Sequence, residues 1–435
     1  MKETILQFGT GNFLRAFFDV FIDRLQKAGL YDGGVVIVSP TDSKNIDLIN
    51  RQNGRWHVLE RGVMNGQVSE TCREIGCVTR AVNPYRDFAG FLELAENPEL
   101  RFVVSNTTEA GIAFDPGCRM SDAPAASFPG KVTQLLYRRF SLGLPGLVFL
   151  PCELIDDNAA ALKDAVLRYA GLWELPAAFV RWTEEENAFC NTLVDRIVTG
   201  RPADAADWEA SNGADSLLDA AEPYCFWAIE GNYEAGLPLQ AAGVNAVWAD
   251  DISFYKKRKV RVLNGAHTTL VFPAMLSGIE TVGESVADGT MRRFLQKTLF
   301  TYVLPLLGET PENLAFTGAV LERFANPFIA HKFRSIALNS VSKFRVRVLP
   351  TMLEYHETYG EYPKTMLVAF AALIRWYKTE DPADDADNVR FIKESGLPEI
   401  LKNEKLWGRD LSAMLPDLQT AYDMDVSEAI TWSLS

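Results

Sequence analysis

This chain of 435 residues has only four histidines and six cysteines. None of them stands at the spacing of a Cys/His zinc site, so we predict no metal site. No C-x-x-C pair is present. A chain of this length needs no disulfide framework, and we predict reduced thiols in a cytoplasmic protein.

The sequence also lacks a run of about 18 uncharged apolar residues, which a membrane-spanning helix needs. A strand-like run begins at Ile5, which leaves no room for a signal peptide. Basic residues are fewer than acidic ones. The chain has 43 Lys and Arg and 57 Asp and Glu, which gives a net charge of −14. This balance argues against nucleic acid and anionic membrane surfaces as partners. We expect a globular protein whose partner is a small molecule.

Strand and helix signals alternate in the first half of the chain. Short apolar runs at residues 4–8 and 35–38 flank a stretch of helical periodicity at residues 12–28. Such alternation predicts an α/β domain of the Rossmann type, with a parallel sheet, over residues 1–250. Strand signals become scarce after about residue 250. We therefore predict a second, mostly α-helical domain over residues 251–435.

Two glycines, Gly9 and Gly11, follow the first predicted strand. They let the chain turn sharply, so that backbone N–H groups there and at Asn12 and Phe13 can face a pyrophosphate. Leu14 stands where the usual fingerprint has its third glycine. In this strand–helix context the turn predicts a dinucleotide site, and a glycine turn that serves only the fold is the alternative.

Polar residues follow two further predicted strands. Asp42 lies after the second strand, where a carboxylate accepts from a ribose 2′-hydroxyl and disfavours a 2′-phosphate. Because residues 39–45 contain no arginine, we predict NAD rather than NADP, with a capped turn as the alternative reading of Asp42. Thr107 and Thr108 follow the strand at residues 101–105, where ligands bind in open sheets. A polar, helix-capping turn would also explain them.

Five of the six residues 256–261 are basic, and this run leads into an asparagine and a histidine. At the α-helical spacing of about 100° per residue, Lys259, Asn264 and His267 share one side of the helix. A partly buried lysine with a lowered pKa can exchange a proton with a hydroxyl, and an amide can donate to the oxygen as charge develops. The group favours carbinol/carbonyl chemistry. A solvated basic face followed by a core histidine is the alternative.

A second cationic stretch, residues 323–353, contains no Asp or Glu. In an acidic chain this suggests an anionic ligand held by charge-assisted hydrogen bonds. Ion pairs with the acidic first half would also explain the stretch. Its cations are Arg323, Lys332, Arg334, Lys343, Arg345 and Arg347.

The pattern Lys259-x-x-x-x-Asn264-x-x-His267 resembles the signature of the long-chain, metal-independent polyol dehydrogenases. The segments QFGTGNFLRA at residues 7–16 and NTLVDRI at residues 191–197 are similar to that family too. The resemblance extends over most of the chain and is strongest to the family's hexuronate reductases. It implies an N-terminal Rossmann-type domain and a helical substrate domain, with the site between them.

The resemblance also implies roles for individual residues. Lys259 would be the general acid/base, Asn191 and Asn264 would hold the reacting oxygen, and His267 would orient the substrate.

Lys343 corresponds to a substrate-contacting lysine of the family. Some members carry an arginine eight residues earlier, where this chain has Ser335 next to Arg334. We therefore expect a substrate carboxylate near Lys343, with Arg345 and Arg334 as further candidates.

The expected activity is the NADH-dependent reduction of a keto-uronate sugar acid. A reductase of another keto-uronate and a mannitol-dehydrogenase-type enzyme of neutral polyols remain alternatives, because the same three residues serve all of them. A non-catalytic NAD-binding sensor is an alternative of another class, although such a protein has no need of the Lys–Asn–His spacing.

Overall fold

The computed structural model describes residues 1–108 and 110–435, and these form two compact units. The first unit comprises residues 1–61 and 70–253, and the second comprises residues 62–69 and 254–435. The sequence analysis predicts one domain boundary, near residue 250. In the structure, the short segment 62–69 also groups with the second unit.

The strands all lie before residue 250. In chain order they are β1 (Lys2–Phe8), β2 (Gly33–Val38), β3 (Trp56–Met64), β4 (Gln67–Ile75), β5 (Val78–Val82), β6 (Phe102–Ser105), β7 (Val148–Pro151), β8 (Ala188–Phe189), β9 (Thr192–Asp195), β10 (Val198–Gly200), β11 (Asp219–Ala221), β12 (Phe226–Glu230) and β13 (Ala246–Ala249). The helices of the first unit are α1 (Asn12–Arg15), α2 (Phe18–Lys27), α3 (Asn45–Arg51), α4 (Phe88–Glu93), α5 (Phe128–Ser141), α6 (Asn158–Leu172), α7 (Ala177–Glu185) and α8 (Ala205–Asn212). A 3₁₀ turn, Leu94–Glu96, follows α4.

A six-stranded parallel sheet in the order β5-β2-β1-β6-β7-β8 is the centre of the first unit. Alternate residues of β1 pack on opposite faces, with Ile5 against α2 and Leu6 against α5. This two-sided burial is typical of parallel sheets. The chain proceeds outward from β1 to β2 and later from β1's other neighbour, β6, to β7. The point where the strand order reverses therefore lies between β1 and β6, the usual ligand crevice of such sheets. The predicted α/β Rossmann-type class is confirmed.

The helix predicted over residues 12–28 is interrupted after its first turn, between α1 and α2. Two buried side chains take up the carbonyl groups at the break. Trp56 Nε1 donates to Arg15 O at 3.3 Å, and Arg196 Nη1 donates to Ala16 O at 2.6 Å. These carbonyls are used in tertiary hydrogen bonds, so the single continuous helix of the prediction is wrong.

Two smaller sheets complete the strands, in the orders β10-β11-β3-β4 and β13-β12-β9. The hairpin β3–β4 turns at Asn65 and Gly66, whose φ angles are 53° and 74°. Positive φ at both central residues identifies the I′ turn that Asn-Gly favours. The tip is held within the second unit, because Glu322 accepts from the N–H groups of Asn65 at 3.3 Å and Gly66 at 2.8 Å.

The second unit is mostly helical, as predicted. Its helices are α9 (Ser253–Arg258), α10 (Gly265–Leu276), α11 (Val282–Ala287), α12 (Gly289–Gln296), α13 (Leu304–Leu307), α14 (Pro311–Phe324), α15 (Phe333–Ile336), α16 (Ser340–Arg347), α17 (Leu349–Tyr359), α18 (Lys364–Thr379), α19 (Ala386–Glu394), α20 (Leu397–Lys402), α21 (Glu404–Trp407), α22 (Leu415–Asp423) and α23 (Val426–Leu434). A 3₁₀ turn, Ser412–Met414, precedes α22. The two most deeply buried helices, α10 and α18, pack against each other.

Two π-helical segments connect α-helices of the second unit. They are Lys259–Asn264, between α9 and α10, and Lys297–Val303, between α12 and α13. In the part of the chain that the structure describes, no helix is both long enough and apolar enough to cross a membrane.

Candidate active site

The glycine turn after β1 lies at the reversal point of the parallel sheet. Gly9 has a φ of 139°, and a Cβ atom there would lie 2.7 Å from the backbone oxygen of Asn106, which follows β6. Only glycine allows the two loops to approach so closely. A Cβ atom on Gly11, in contrast, would meet no atom of the described residues within 4 Å. The turn is thus tightly packed at Gly9 and open at Gly11. This open side would let a pyrophosphate approach the backbone.

The first turn of α1 continues this open surface. The N–H groups of Asn12 and Phe13 have no acceptor within the helix, as at every helix start. The Asn12 side chain is exposed and its Oδ1 accepts from Arg15 Nη2 at 2.6 Å. The Phe13 ring stacks on Phe17 at a centroid distance of 5.0 Å. Both side chains are held by the fold, so the backbone of this turn remains for a ligand.

Asp42, after β2, is exposed and lies in a small polar cluster. Its Oδ1 accepts from Asn83 Nδ2 at 2.7 Å and from Arg86 Nε at 3.2 Å. Arg86 also pairs with Asp47 at 2.9 Å. Sequence analysis missed Arg86, because it follows β5 rather than β2. Two carboxylates share this one guanidinium, so the cluster keeps a net negative charge.

Glu153, after β7, organises the turn that follows β6 and was not singled out from the sequence. Its two carboxylate oxygens accept from Ser105 Oγ at 2.9 Å and from both the N–H and Oγ1 of Thr107 at 3.0 Å. Burial raises the pKa of Glu153, and these hydrogen bonds oppose the rise. Thr108 is exposed, and Glu109 lies outside the described residues. An acidic residue two positions after a buried strand was the available signal.

Asn191 is fully engaged at its side-chain oxygen. Oδ1 accepts from the N–H groups of Ala159 at 3.0 Å and Ala160 at 3.2 Å, in the first turn of α6. Nδ2 donates to Glu230 Oε2 at 2.7 Å. An amide nitrogen carries two hydrogens, so one of them is not used in this bond. Asn191 thus caps a helix and can still offer one donor.

Lys259 and Asn264 are the two ends of the π-helical segment in the second unit. The α-helical spacing assumed for them in the sequence analysis is therefore wrong. In a π-helix the bonds run from i to i+5, as between the Gly265 N–H and Val260 O. Asn264 lies five residues, and so one π turn, after Lys259. The two residues consequently still share one side, and π turns of this kind are frequent at functional sites.

Three cations around Lys259 belong to ion pairs of the second unit. Lys257 and Arg261 contact Glu354 at 3.4 Å and 2.5 Å, and Arg258 contacts Glu312 at 2.6 Å. Much of the basic run thus stabilises the fold. Lys259 itself is half-buried in the middle of it.

His267 is buried in α10 with its Nδ1 at 3.1 Å from Leu263 O. Its Nε2 is also buried and has no hydrogen-bond partner among the described residues. Burial holds the pKa of His267 well below its usual value, and the neighbouring His331, Arg323 and Arg347, which disfavour a second positive charge, lower it further. A neutral ring that donates from Nδ1 leaves Nε2 as an acceptor.

Two other groups lie near His267. The rings of Phe324 and His331 lie 4.2 Å and 5.0 Å from it, centroid to centroid. Sequence analysis did not single out His331, because no local pattern marks it. The Asn264 side chain is half-buried, and its amide makes no hydrogen bond with any described residue.

The structure distinguishes the candidates for the substrate carboxylate. Lys343 is half-buried and donates to Ile336 O at 2.9 Å, and burial and the charge of Arg347 lower its pKa. Arg345 is exposed, with Nη1 at 3.5 Å from Lys405 O. Arg334 is also exposed. Lys343 therefore lies one helical turn from Arg347, the cation whose charge acts on it.

No group of three or more His, Cys, Asp or Glu residues within ranges 1–108 and 110–435 is placed to hold a metal ion.

Two protein-family models match this chain. The mannitol dehydrogenase Rossmann domain matches residues 3–240, and the mannitol dehydrogenase C-terminal domain matches residues 251–424.

Curated relatives match it over nearly its whole length. The altronate oxidoreductase of Yersinia enterocolitica is 42% identical, with 98% of this chain and 96% of the relative covered. The altronate oxidoreductase of Bacillus subtilis is 39% identical, with 94% of this chain and 89% of the relative covered. The predicted resemblance is confirmed by these matches.

Solved structures share the fold. A D-sorbitol dehydrogenase in substrate-free form matches with a TM-score of 0.82 at 23% identity, covering 100% of this chain and 92% of the other. The Pseudomonas fluorescens mannitol 2-dehydrogenase, in a ternary complex with NAD and D-mannitol, matches with a TM-score of 0.73 at 20% identity, covering 100% and 94%.

Proposed function

The chain belongs to the mannitol dehydrogenase family of oxidoreductases, and we propose that its reaction is the reversible, NADH-dependent reduction of D-tagaturonate to D-altronate. The relatives, which match nearly the whole chain, support the general activity of a polyol or sugar-acid dehydrogenase. One observation supports this substrate: Asn264, one π turn after Lys259, and the buried His267 each offer a polar group that bonds to no described residue, and positive charges act on His267.

The chemistry assigns a step to each side chain. Bound NADH supplies a hydride for the ketone carbon. Lys259, as an ammonium, gives its proton to the ketone oxygen. The Asn264 amide and the remaining amide hydrogen of Asn191 donate to that oxygen as negative charge develops. Neutral His267 accepts from a substrate hydroxyl through Nε2 and so orients the sugar. Oxidation of altronate runs through the same groups in reverse.

The cofactor is proposed to bind the first unit. The backbone of the turn from Gly9 to Phe13 would hold the pyrophosphate, and Thr107 and Thr108 would border the nicotinamide end. Asp42 would accept from the adenosine ribose. Because the Asp42–Asp47–Arg86 cluster keeps a net negative charge, a 2′-phosphate would be repelled.

The cofactor proposal is tested by comparing kcat/KM for NADH and NADPH. We expect a clear preference for NADH, which Asp42→Asn should weaken. Equal or better efficiency of the unmodified protein with NADPH would contradict it.

The reaction is proposed to need no metal, since the lysine makes a Lewis acid unnecessary. Activity should therefore survive incubation with EDTA. A loss that added zinc or magnesium reverses would count against the lysine mechanism.

The substrate is tested by following NADH oxidation with D-tagaturonate, D-fructuronate and D-fructose in parallel. Tagaturonate should give the highest kcat/KM. A preference for fructuronate would make the protein a fructuronate reductase, and a preference for fructose would make it a mannitol 2-dehydrogenase-type enzyme. NADH binding without turnover of any of the three would point to the non-catalytic sensor.

A further inference from the structure

We propose that Arg347, assisted by His331, binds the substrate carboxylate and thereby makes the enzyme selective for sugar acids over neutral sugars. The inference rests on the proposed function and names the residues that would set its substrate class. Arg347 belongs to the cationic stretch that the sequence analysis assigns to an anionic ligand, but that analysis favoured Lys343, Arg345 and Arg334 for the carboxylate and did not single out His331.

The position of Arg347 is fixed by close backbone packing in the second unit. It is the last residue of α16, one turn after Lys343. Its carbonyl oxygen lies 3.1 Å from the point that a Cβ atom on Gly265 would occupy. Gly265 stands directly after Asn264 and two residues before His267. The end of α16 therefore packs against the junction that carries two of the proposed catalytic side chains.

The charge of Arg347 has no counterion within the described part of the chain. Its guanidinium is half-buried and makes neither an ion pair nor a hydrogen bond with a described residue. Lys257, Arg258 and Arg261, by contrast, all have glutamate partners. A partly buried guanidinium without acceptors costs folding free energy. A bound carboxylate would relieve that cost with a forked pair of hydrogen bonds.

Arg347 is close enough to Lys343 and His267 to act on both electrostatically. Its positive charge lowers the pKa of Lys343 and also that of His267. The two arginines whose charges lower the pKa of His267, Arg323 and Arg347, are both positive. Such a field attracts an anion to the region next to the His267 ring.

His331 supplies a second group next to His267. Its ring is half-buried and makes no hydrogen bond with any described residue. The backbone is held in place, since His331 O accepts from the Val282 N–H at 3.0 Å and its own N–H donates to Ile329 O at 2.9 Å. Burial lowers the pKa of His331, and a carboxylate bound beside it would favour the protonated, donating form.

The test is the Arg347→Gln variant, assayed with D-tagaturonate and with the neutral ketohexose that has CH2OH in place of the carboxylate. We expect the KM for tagaturonate to rise by about 10- to 100-fold, the range of a lost hydrogen bond to a charged group. The kcat should change less, and kcat/KM for the neutral ketose should stay the same or rise. Arg293→Gln, which removes an exposed arginine on α12, is the control and should change neither.

Two further variants address folding and geometry. Arg347→Lys keeps the charge without the fork, and its KM for tagaturonate should lie between those of the unmodified protein and Arg347→Gln. His331→Gln should raise the same KM by a smaller factor. Thermal melting of each variant shows whether it is folded. If Arg347→Gln does not fold, the KM of Arg347→Lys for tagaturonate tests the inference instead.

The outcomes separate this inference from the proposed function. If the unmodified protein reduces tagaturonate and the Arg347 variants keep its KM, the inference is wrong and the proposed function stands. Equal losses with tagaturonate and the neutral ketose would show a merely structural role and also overturn it. If the unmodified protein reduces only neutral ketoses, the proposed function itself fails.

Discussion

Several proposed site residues of the first unit are hydrogen-bonded within the protein, and several of the second unit are not. In the first unit, Glu153 and Asn191 each accept two or more hydrogen bonds from other parts of the unit, and Asp42 accepts from Asn83 and Arg86. In the second unit, the Asn264 amide, His267 Nε2 and the Arg347 guanidinium have no acceptor or donor among the described residues.

This difference indicates how each unit meets its ligand. The first unit uses its side chains to hold its loops, and leaves backbone N–H groups and the open side of Gly11 for the proposed cofactor. The second unit leaves side-chain groups unsatisfied at a cost of about 1–3 kcal/mol each when buried. We interpret these groups as sites for the oxygen atoms of a sugar acid.

The largest expected effect is that of Lys259→Ala. Because Lys259 acts on the transition state, turnover should fall by about 10²- to 10⁴-fold or more, the usual range of acid/base catalysis. The Kd for NADH, measured by fluorescence titration, should stay nearly constant. Lys257→Ala, which removes only an ion pair with Glu354, is the matched control. Retention of more than about a tenth of the turnover would contradict the role, and Lys256 would be the next candidate.

Asn264→Ala and Asn191→Ala test the comparison directly. Each should lower kcat by about 10²- to 10³-fold, the effect of losing one donor to a developing oxyanion. Only Asn191→Ala should also lower the free energy of unfolding, by about 1–3 kcal/mol, because it removes a helix cap and leaves Glu230 without its donor. Urea unfolding measures this difference. Equal stability of the two variants would show that the contrast between the units is unfounded.

Glu153→Gln tests the loop support in the first unit. An amide replaces the charged acceptor of three hydrogen bonds, so the turn around Thr107 should loosen. We expect NADH binding to weaken by about tenfold and kcat at saturating NADH to change little. Isothermal titration with NADH measures the first effect. Glu99→Gln, at an exposed carboxylate, should leave the affinity unchanged; an unchanged affinity in Glu153→Gln as well would remove Glu153 from the cofactor site.

The smallest effect concerns stability and its dependence on pH. Asp19 is fully buried, accepts from Gln7 Nε2 at 3.1 Å, and burial raises its pKa to about 7. A carboxyl with a raised folded pKa contributes stability that is full below its unfolded pKa of about 3.9 and is lost as the pH rises through 7. Asp19→Asn should remove this loss, so its advantage in unfolding free energy should grow between pH 5 and pH 8. Parallel stability curves for the two proteins would contradict the raised pKa.

Much of the fold was predictable from local patterns. The alternation of apolar runs indicated the Rossmann-type class, and the spacing of Lys259, Asn264 and His267 indicated the family. The π turn was not predictable in this way, because the apolar spacing of the segment does not distinguish i→i+4 from i→i+5 bonding. The sequence analysis assumed an α-helix from Lys259 to Asn264, and the structure shows a π-helical segment there.

The sequence by itself determined the order of strands and helices, the glycine at position 9 and the Asn-Gly turn of the β3–β4 hairpin. These features depend on hydrophobic periodicity and backbone sterics within a few residues. Only the tertiary structure decided which polar groups are satisfied. Thr107 bonds to Glu153 across 46 positions of the chain, whereas no described residue gives the Arg347 guanidinium a hydrogen bond or a counterion. A hydrogen bond needs both partners in place, and only the folded chain brings such distant residues together.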